Sequence, residues 1–500
     1  MVNKGVVKPY LKCIGASAVG VTQSCYLVRF QKYCIMLDCG IYQESDILTN
    51  YRQNQALLKK IKPREVDWLI LHESHADHTC LVPALYAKGC QAHIICPKGT
   101  TSYLKVLWED SCKIMTQDCQ KITNKHGIKA APLYTSDDIA TALSRCIEVD
   151  PLTQYNLTPN ITLTYYPANH IINSCQLSLA MTQGYQRKVV NFTGDIGGKT
   201  PQFYLEPRAN LPFCDILLGE NTYNAIGRNN KPYDRQKDLD KIIAVLNQSN
   251  RTLFPVFALG RCQSILTVLY QLWKDNKIPH DIQVYIDSPM AQKICALYPD
   301  NDELWDEVYH WERLQFVPDH AATLTLQNTK PTNPMVVLSS AGMLSGGKSV
   351  SWAKALLPDS NAHIVFCGYS SENTLASKIR FGENKINIEG DVVENNANIT
   401  ELVSFSSHAS RDELIDYYTN TLRFNKLCLV HGNYENKVEF SNTLQDGGTY
   451  IVRFNENLSC KQVNMLLSEL RLHLVGRNVR ILPEMPQYFE FVREPVEKIK

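Results

Sequence analysis

The segment LHESHADH at residues 71–78 holds the densest set of reactive side chains in the sequence: Glu73, His75, Asp77 and His78 lie within six residues. Imidazole and carboxylate groups are the ligands that hold Zn²⁺, Mn²⁺ or Fe²⁺ in proteins. An apolar, strand-like run, VDWLILH, leads directly into this segment. A histidine-rich surface loop is the alternative explanation, but such a dense set after a buried strand favours a metal site.

The direction of these side chains follows from an extended backbone, in which alternate residues point to the same side. We therefore expect residues 73, 75 and 77 to share one side and His78 to turn in behind Asp77, so that one segment serves two metal ions. His72 is an alternative ligand to Glu73, but as a strand neighbour it would point to the opposite face.

The surrounding elements are short apolar strands that end at polar residues, which is how α/β proteins present reactive groups. Such strands include YCIMLDCG, ITLTYYPANH, KVVNFTGD, CDILLGE and KLCLVHGN. From about residue 225 to 390 the pattern becomes a strand–helix alternation, which predicts a second, smaller domain with a parallel sheet. The polar stretch VVENNANITE at 392–401 is expected to be the linker that returns the chain to the first domain.

Composition excludes several classes of protein. The 500 residues are 44% hydrophobic and 20% charged, with a formal net charge of +1, so a disordered or fibrous chain is excluded and any polyanion must meet a local basic patch. The sequence has neither a membrane-spanning run of about 18 apolar residues nor the apolar stretch of a signal peptide. We expect a cytoplasmic protein that does not bind membranes, with its 17 cysteines mostly buried as small hydrophobes.

The order of the motifs resembles that of the metallo-β-lactamase superfamily. HADH at 75–78 is similar to the second half of its H-x-H-x-D-H signature, and three residues fall where its first, third and fourth motifs lie: Asp38, His170 and Asp195. Three further residues resemble motifs A, B and C of the β-CASP branch: Glu220, His408 and His431. PVFALGR and SSAGML are also similar to β-CASP landmarks, and the resemblance covers about residues 12 to 435.

The resemblance implies a particular fold, a metallo-β-lactamase αββα sandwich with an inserted parallel-sheet α/β β-CASP domain. We expect the first part of the sandwich domain at 1–210, the β-CASP domain at 211–394 and the second part of the sandwich domain at 395–470. Residues 471–500 would form a C-terminal extension of unknown role.

The resemblance also implies a centre of two divalent ions, with Zn²⁺ expected and Mn²⁺ as the alternative. The first ion would bind the residue at position 73 together with His75, His170 and Asp195. The second would bind Asp77, which also counts as catalytic, together with His78, His431 and the bridging Asp195. His408 would be the general acid on the leaving oxygen, oriented by Glu220, and Asp38 would lie near the site as a structural residue.

One position departs from the family signature, because its first histidine is replaced here by Glu73. A glutamate can bind zinc through oxygen, so the expected site survives with a more anionic set of ligands. The alternative is a degraded first site in an inactive scaffold.

Phosphate contacts are expected in the inserted domain. Arg261 offers a fork-shaped cation just before a helix, and Ser339 and Ser340 offer hydroxyl groups where a strand ends.

The implied function is metal-dependent hydrolysis of RNA by an endoribonuclease similar to those of bacteria, archaea and mRNA 3′-end processing, with 5′–3′ exonuclease activity in addition. His431 at motif C resembles the RNA-acting rather than the DNA-acting members. The expected partner is single-stranded RNA, and the expected assembly a homodimer or an RNA-processing complex. The alternatives are an inactive scaffold subunit, a DNA nuclease of the same fold and a small-molecule hydrolase; the inserted domain, expected to roof the metal cleft, disfavours the last.

Overall fold

The computed structural model describes residues 9–43, 46–199, 205–225, 227, 233–298, 303–368, 374–382 and 384–444, and three short strands at 450–451, 479–480 and 491–492. The described residues divide into two compact units. The first lies within residues 1–199, 206–231 and 408–500, and the second within residues 200–205 and 232–407. The second unit is therefore an insertion in the sequence of the first, as the strand–helix alternation predicted.

The first sheet of the first unit contains six strands: β1 (Tyr10–Cys13), β2 (Tyr26–Phe30), β3 (Tyr33–Leu37), β4 (Trp68–Ile70), β5 (His93–Pro97) and β6 (Cys146–Val149). They lie side by side in chain order. The strands from β1 to β3 are antiparallel neighbours, whereas those from β3 to β6 run parallel. The polar ends of β3 and β4 consequently lie at the same edge of the sheet.

Among the described residues, the second sheet of this unit is formed by β7 (Gln154–Thr158), β8 (Ile161–Pro167), β9 (Cys175–Gln183), β10 (Gln186–Phe192), β11 (Cys214–Glu220), β20 (Phe424–Val430) and β23 (Phe491–Val492). Their order across the sheet is β23-β20-β11-β10-β9-β8-β7. β10, β11 and β20 are parallel to one another. Their C-terminal ends therefore lie at one edge, where β10 ends at Phe192, β11 at Glu220 and β20 at Val430.

The two sheets pack face to face through an apolar core, to which Ile35 and Ile70 contribute from the first sheet and Leu163 and Phe192 from the second. Helices cover the outer faces. In this unit they are α1 (Ile47–Lys60), α2 (Ala76–Thr79), α3 (Val82–Ala87), α4 (Thr100–His126), α5 (Ser136–Leu143), α13 (Arg411–Asp416) and α14 (Tyr434–Thr443). Leu414 and Phe440, from α13 and α14, pack on the second sheet. The predicted αββα sandwich is confirmed.

The second unit is built on a parallel sheet of six strands: β12 (Arg251–Pro255), β13 (Gln283–Asp287), β14 (Leu314–Phe316), β15 (Met335–Ser339), β16 (Ala362–Cys367) and β19 (Asn398–Leu402). Their order is β14-β13-β15-β12-β16-β19. The helices described here alternate with them: α6 (Arg235–Gln248), α7 (Arg261–Lys274), α8 (Pro289–Cys295), α9 (Glu303–Tyr309), α10 (His320–Asn328), α11 (Lys348–Leu356) and α12 (Leu375–Arg380). A hairpin of β17 (Lys385–Ile388) and β18 (Asp391–Glu394) precedes β19.

The strand pairing differs from the boundaries predicted at residues 211 and 395. β11 lies inside the second sheet of the first unit, because Leu217 is buried on one of its faces and Leu218 on the other. At the other end, the predicted linker 392–401 forms most of β18 and β19, and β19 pairs with β16 of the second unit. A strand buried on both faces and a polar edge strand carry no sequence signal for the sheet that they join.

Two further predictions concern the C-terminal extension and the cysteines. Most of the C-terminal extension at 471–500 lies outside the described residues; among the strands that are described, β22 (Val479–Arg480) pairs with β21 (Tyr450–Ile451), and β23 pairs with β20. The described cysteines are free and mostly buried, as predicted. Within the described ranges, no helix is long and apolar enough to cross a membrane.

Candidate metal centre

The HESHADH segment leaves β4 at Ile70 and reaches His75, after which Ala76 begins the short helix α2. The expectation of an extended chain through residue 77 is therefore wrong, because His75 is the N-cap residue of a helical turn. Asp77 and His78 are the second and third residues of α2. Nε2 of His78 nevertheless lies 3.4 Å from Oε1 of Glu73, so the segment still brings its ligand side chains together.

The first group of ligand atoms belongs to Glu73, His75 and His170, all within 4.8 Å of one another. The Oε2 atom of Glu73 lies 3.3 Å from Nδ1 of His75 and 3.8 Å from Nε2 of His170. His170 comes from the loop after β8, where the chain turns back towards β9. Two imidazoles and one carboxylate thus converge as a first candidate metal position.

The second group belongs to Asp77, His78, Asp195 and His431. Nε2 of His431 lies 3.2 Å from Oδ2 of Asp77, and Nε2 of His78 lies 3.5 Å from that same oxygen. Asp195 follows β10 and His431 follows β20, so the parallel strands of the second sheet deliver both. This is a second candidate position, with two imidazoles and two carboxylates.

Asp195 lies between the two groups. Its Oδ2 atom is 3.3 Å from Nε2 of His78 in the second group and 3.8 Å from Nε2 of His170 in the first. Its Oδ1 atom is 3.2 Å from Nδ1 of His431. This position suits a carboxylate that bridges two ions.

Four buried polar atoms test whether these residues fit a metal. Both carboxylate oxygens of Glu73, Nε2 of His78 and Oδ1 of Asp195 have no hydrogen-bond partner of acceptable geometry among the described residues. Burying such atoms unpaired costs about 1–3 kcal/mol each, and more when they are charged. Since these atoms face one another and are all metal-ligating types, the donor set fits divalent metal ions.

The electrostatics of the centre keep its carboxylates ionised. Burial would raise the pKa of Glu73, but the neighbouring imidazoles, His75 foremost, hold it well below its ordinary value. Burial would likewise raise the pKa of Asp195, which His431 and His78 hold well below its ordinary value. Burial lowers the pKa of His170 to about 4, so this imidazole is neutral at pH 7, as a metal ligand must be.

Asp38 supports the centre through hydrogen bonds to two histidines. It directly follows β3 with a positive φ of 55°, and its carboxylate accepts hydrogen bonds from Nδ1 of both His72 and His78, at 3.0 and 2.9 Å. The bond to Nδ1 of His78 leaves Nε2 of that ring facing the second position. Such a carboxylate fixes the orientation and tautomer of a metal-binding imidazole.

Replacing Asp38 by asparagine tests this support. Asparagine keeps the size of the side chain and tolerates a positive φ. Its uncharged amide, however, cannot accept hydrogen bonds from both imidazoles as the carboxylate does. We expect Asp38→Asn to weaken metal binding by about 10–100-fold, measured by competition with a chelating dye. Asp416→Asn, which removes a carboxylate paired with Lys199 at the surface, is the matched control. Unchanged affinity in Asp38→Asn would show that Asp38 does not support the centre.

Two supporting residues were missed by the sequence interpretation. His72 was considered only as a substitute ligand, but its Nε2 accepts the N–H of Asp195 at 3.3 Å, so its proton lies on Nδ1, facing Asp38. Thr222 lies 3.0 Å from Nδ1 of His431 through its hydroxyl group. Only the strand order could have revealed them, since their partners are more than 100 residues away in sequence.

His408 stands beside the centre with Glu220. Nδ1 of His408 lies 3.2 Å from Oε1 of Glu220, and Nε2 lies 3.9 Å from Oδ2 of Asp195. Glu220 is itself fixed, because its carboxylate accepts the N–H groups of Ile196 and Thr222. His408 also belongs to a group of possible ligand atoms with His170 and Asp195, so its geometry allows either proton transfer or metal binding.

The predicted phosphate-binding residues lie in the second unit. Ser339 pairs with Pro255 at the C-terminal ends of β15 and β12, and Arg261 begins the helix that follows β12. The hydroxyl of Ser339 donates to the carbonyl of Asp287 at 2.9 Å, so it is not free to donate to a phosphate. The hydroxyl of Ser340 is buried and has no hydrogen-bond partner among the described residues.

The fold and the centre define a class of protein, a metal-dependent hydrolase with an inserted domain. Three family models match successive parts of the chain: the metallo-beta-lactamase superfamily at residues 18–113, the Beta-Casp domain at 262–379 and the Zn-dependent metallo-hydrolase RNA specificity domain at 392–453. Together they match more than half of the chain. The chain belongs to the metallo-β-lactamase superfamily, in its β-CASP branch, and its centre is one for divalent metal ions.

Relatives match almost the whole fold. Ribonuclease TTHA0252 of Thermus thermophilus is 28% identical over 452 residues, which are 88% of this chain and 97% of that protein. Transcription termination factor FttA of Methanocaldococcus jannaschii is 27% identical over 453 residues, which are 86% of this chain and 68% of that protein. A crystal structure of a protein of unknown function from Enterococcus faecalis V583 matches with a TM-score of 0.53, covering 97% of this chain and all of that one. At 11% identity the structural match shows the fold alone.

Proposed function

We propose that this chain is a ribonuclease that hydrolyses phosphodiester bonds of RNA with two divalent metal ions. The observation that carries the proposal is the convergence of seven imidazole and carboxylate side chains in two adjoining groups. RNA as the substrate is supported by the relatives, which include a ribonuclease and transcription termination factors, and by the match to an RNA specificity domain.

Each position would hold one ion. The first would use Glu73, His75 and His170, the second would use Asp77, His78 and His431, and Asp195 would serve both. Zn²⁺ is the expected ion and Mn²⁺ the alternative, since imidazole and carboxylate bind both. Bound there, two ions would supply a nucleophile from water at neutral pH and neutralise charge on the phosphate.

His408 would move the proton that the leaving oxygen needs. Its Nδ1 faces Oε1 of Glu220 at 3.2 Å, and a carboxylate there accepts from Nδ1–H and fixes the orientation of the ring. Burial would raise the pKa of Glu220, but His408 holds that pKa below its ordinary value, so the carboxylate is ionised at neutral pH. Nε2 of His408, on the side of Asp195, is then the atom that donates.

The inactive scaffold is the second candidate function, and Glu73 is the residue that motivated it. A degraded first position would be supported by a Glu73 side chain turned away from the other ligands or paired elsewhere. Instead its two oxygens are buried, have no hydrogen-bond partner among the described residues and lie within ligand distance of His75 and His170, which supports a working position. Single-stranded RNA, a cytoplasmic location and assembly as a homodimer or in an RNA-processing complex remain predictions.

Cleavage assays on matched single-stranded RNA and DNA test the proposed substrate. We expect the RNA to be cleaved and the DNA of the same sequence to resist, because the 2′-hydroxyl is the group by which a protein distinguishes them. A single 2′-deoxy substitution at the scissile position shows where that group is read. Asp195→Asn, purified in parallel, controls for contaminating ribonuclease. Equal or faster DNA cleavage would move the chain to the DNA nucleases, and metal-loaded protein without any cleavage would favour the scaffold.

A further inference from the structure

The carboxylate of Glu73 changes the balance of donors between the two metal positions. With histidine at position 73, the first position would have three imidazoles, whereas the second has two imidazoles and Asp77. With Glu73, each position has two imidazoles, one carboxylate of its own and a share of Asp195.

We propose that Glu73 makes the first position select ions that favour oxygen ligands, Mn²⁺ in particular, more strongly than the family's histidine would. This inference rests on the proposed function only in that both use the same centre. Its first support is the placement of the side chain: Glu73 is 1% exposed, and neither carboxylate oxygen has a hydrogen-bond partner among the described residues. The carboxylate is therefore aimed at a ligand and is not used elsewhere in the fold.

The second support is that His72, the imidazole next to Glu73 in the sequence, does not replace the missing histidine. His72 is the adjacent residue, but its Nδ1 is bonded to Asp38 and its Nε2 accepts the N–H of Asp195. Gly194 permits this arrangement, because a Cβ there would lie 2.0 Å from the ring of His72. His72 is thereby held away from the first position, and of these two adjacent residues Glu73 is the one that offers a donor there.

The third support is the chemistry of the donors. Imidazole suits Zn²⁺, whereas carboxylate oxygen suits Mn²⁺, so each replacement of nitrogen by oxygen lowers the preference for zinc. Glu73, Asp77 and Asp195 also bring three negative charges to two divalent ions, where the histidine pattern would bring two. Zn²⁺ binds a given site more tightly than Mn²⁺ in the Irving–Williams order, so the expected effect is a change in the zinc-to-manganese ratio.

The experiment compares the metal preference of the full chain and two variants. Metal-free wild type, Glu73→His and Glu73→Gln are dialysed against equimolar Zn²⁺ and Mn²⁺ in a weakly chelating buffer, and the bound metals are measured by mass spectrometry. We expect Glu73→His to raise the ratio of bound zinc to bound manganese at one of the two positions by about tenfold or more. Even outer-shell changes alter metal affinity by about 10–100-fold. Glu73→Gln keeps the shape without the charge and should lose Mn²⁺ from one position.

Electron paramagnetic resonance gives a second readout that needs no activity. Wild type loaded with Mn²⁺ alone should show two spin-coupled ions, and the equimolar mixture should leave Glu73→His with uncoupled Mn²⁺ or none. An equal metal ratio in wild type and Glu73→His would overturn the inference, as would full Mn²⁺ occupancy in Glu73→Gln. If wild type binds two Mn²⁺ ions with the expected preference but cleaves no RNA, the proposed function fails and this inference stands. If wild type cleaves RNA without that preference, this inference fails and the proposed function stands.

Discussion

Asp195→Asn should empty both metal positions at once. Its two oxygens lie within 3.3 Å of His78 and His431 in the second group, and Oδ2 is 3.8 Å from His170 in the first. Asparagine offers one weaker oxygen donor, and its NH₂ group cannot bind a cation. Because loss of an outer-shell partner alone costs about 10–100-fold in affinity, loss of the bridging ligand should exceed about 100-fold for both ions.

Elemental analysis after dialysis measures this directly, with two ions per chain expected in the wild type and fewer than one in Asp195→Asn. Thermal unfolding provides an independent measurement, because an ion that binds only the folded chain stabilises it by about 2.7 kcal/mol at 100 times its Kd. Added metal should therefore raise the Tm of the wild type and leave that of Asp195→Asn nearly unchanged.

Asp215→Asn is the matched control. Asp215 lies on β11 of the same sheet, but it pairs with Lys188 and accepts the N–H of Val189, neither of which is a candidate ligand. This variant should keep both ions and the metal-dependent rise in Tm. Loss of only one ion from Asp195→Asn would show that Asp195 serves a single position and does not bridge.

Much of the fold could be predicted because its strands end at polar residues in a characteristic order. The sandwich, the inserted parallel sheet and the family are confirmed. The exact boundaries could not be predicted, because β11 and β19 resemble strands of either unit until their neighbours are known. β11 is fixed in its sheet by pairing with β20, about 200 residues later in the chain.

The candidate site shows the same division between local and long-range information. The HESHADH segment shows its metal-ligating residue types in one short window, whereas the support from His72 to Asp195 and from Thr222 to His431 depends on strand order. At Ser339, by contrast, the local sequence signal does not show how the hydroxyl group is used. A hydroxyl at a strand end is a reasonable phosphate donor in sequence, but the adjacent strand supplies the carbonyl of Asp287 as its acceptor.

His408→Ala should slow RNA cleavage by about 10²–10⁴-fold, the usual contribution of a positioned acid or base, while both ions remain bound. The expectation follows from the contact of Nδ1 with Glu220, which leaves Nε2 facing the centre. The competing role is metal binding, because His408 also groups with His170 and Asp195. Metal content separates the two roles, since a lost ion in His408→Ala would identify a ligand.

A modified substrate tests the proton transfer itself. If the leaving oxygen of the scissile phosphate is replaced by sulfur, the departing thiolate needs no proton, because a thiol is a much stronger acid than an alcohol. The wild type and His408→Ala should then cleave at similar rates, whereas the oxygen substrate retains the full difference. Asp77→Ala, which removes a ligand of the second position, should remain slow on both substrates because its defect lies in the metal centre. A defect of His408→Ala that persists with sulfur would assign His408 to binding or positioning instead of acid catalysis.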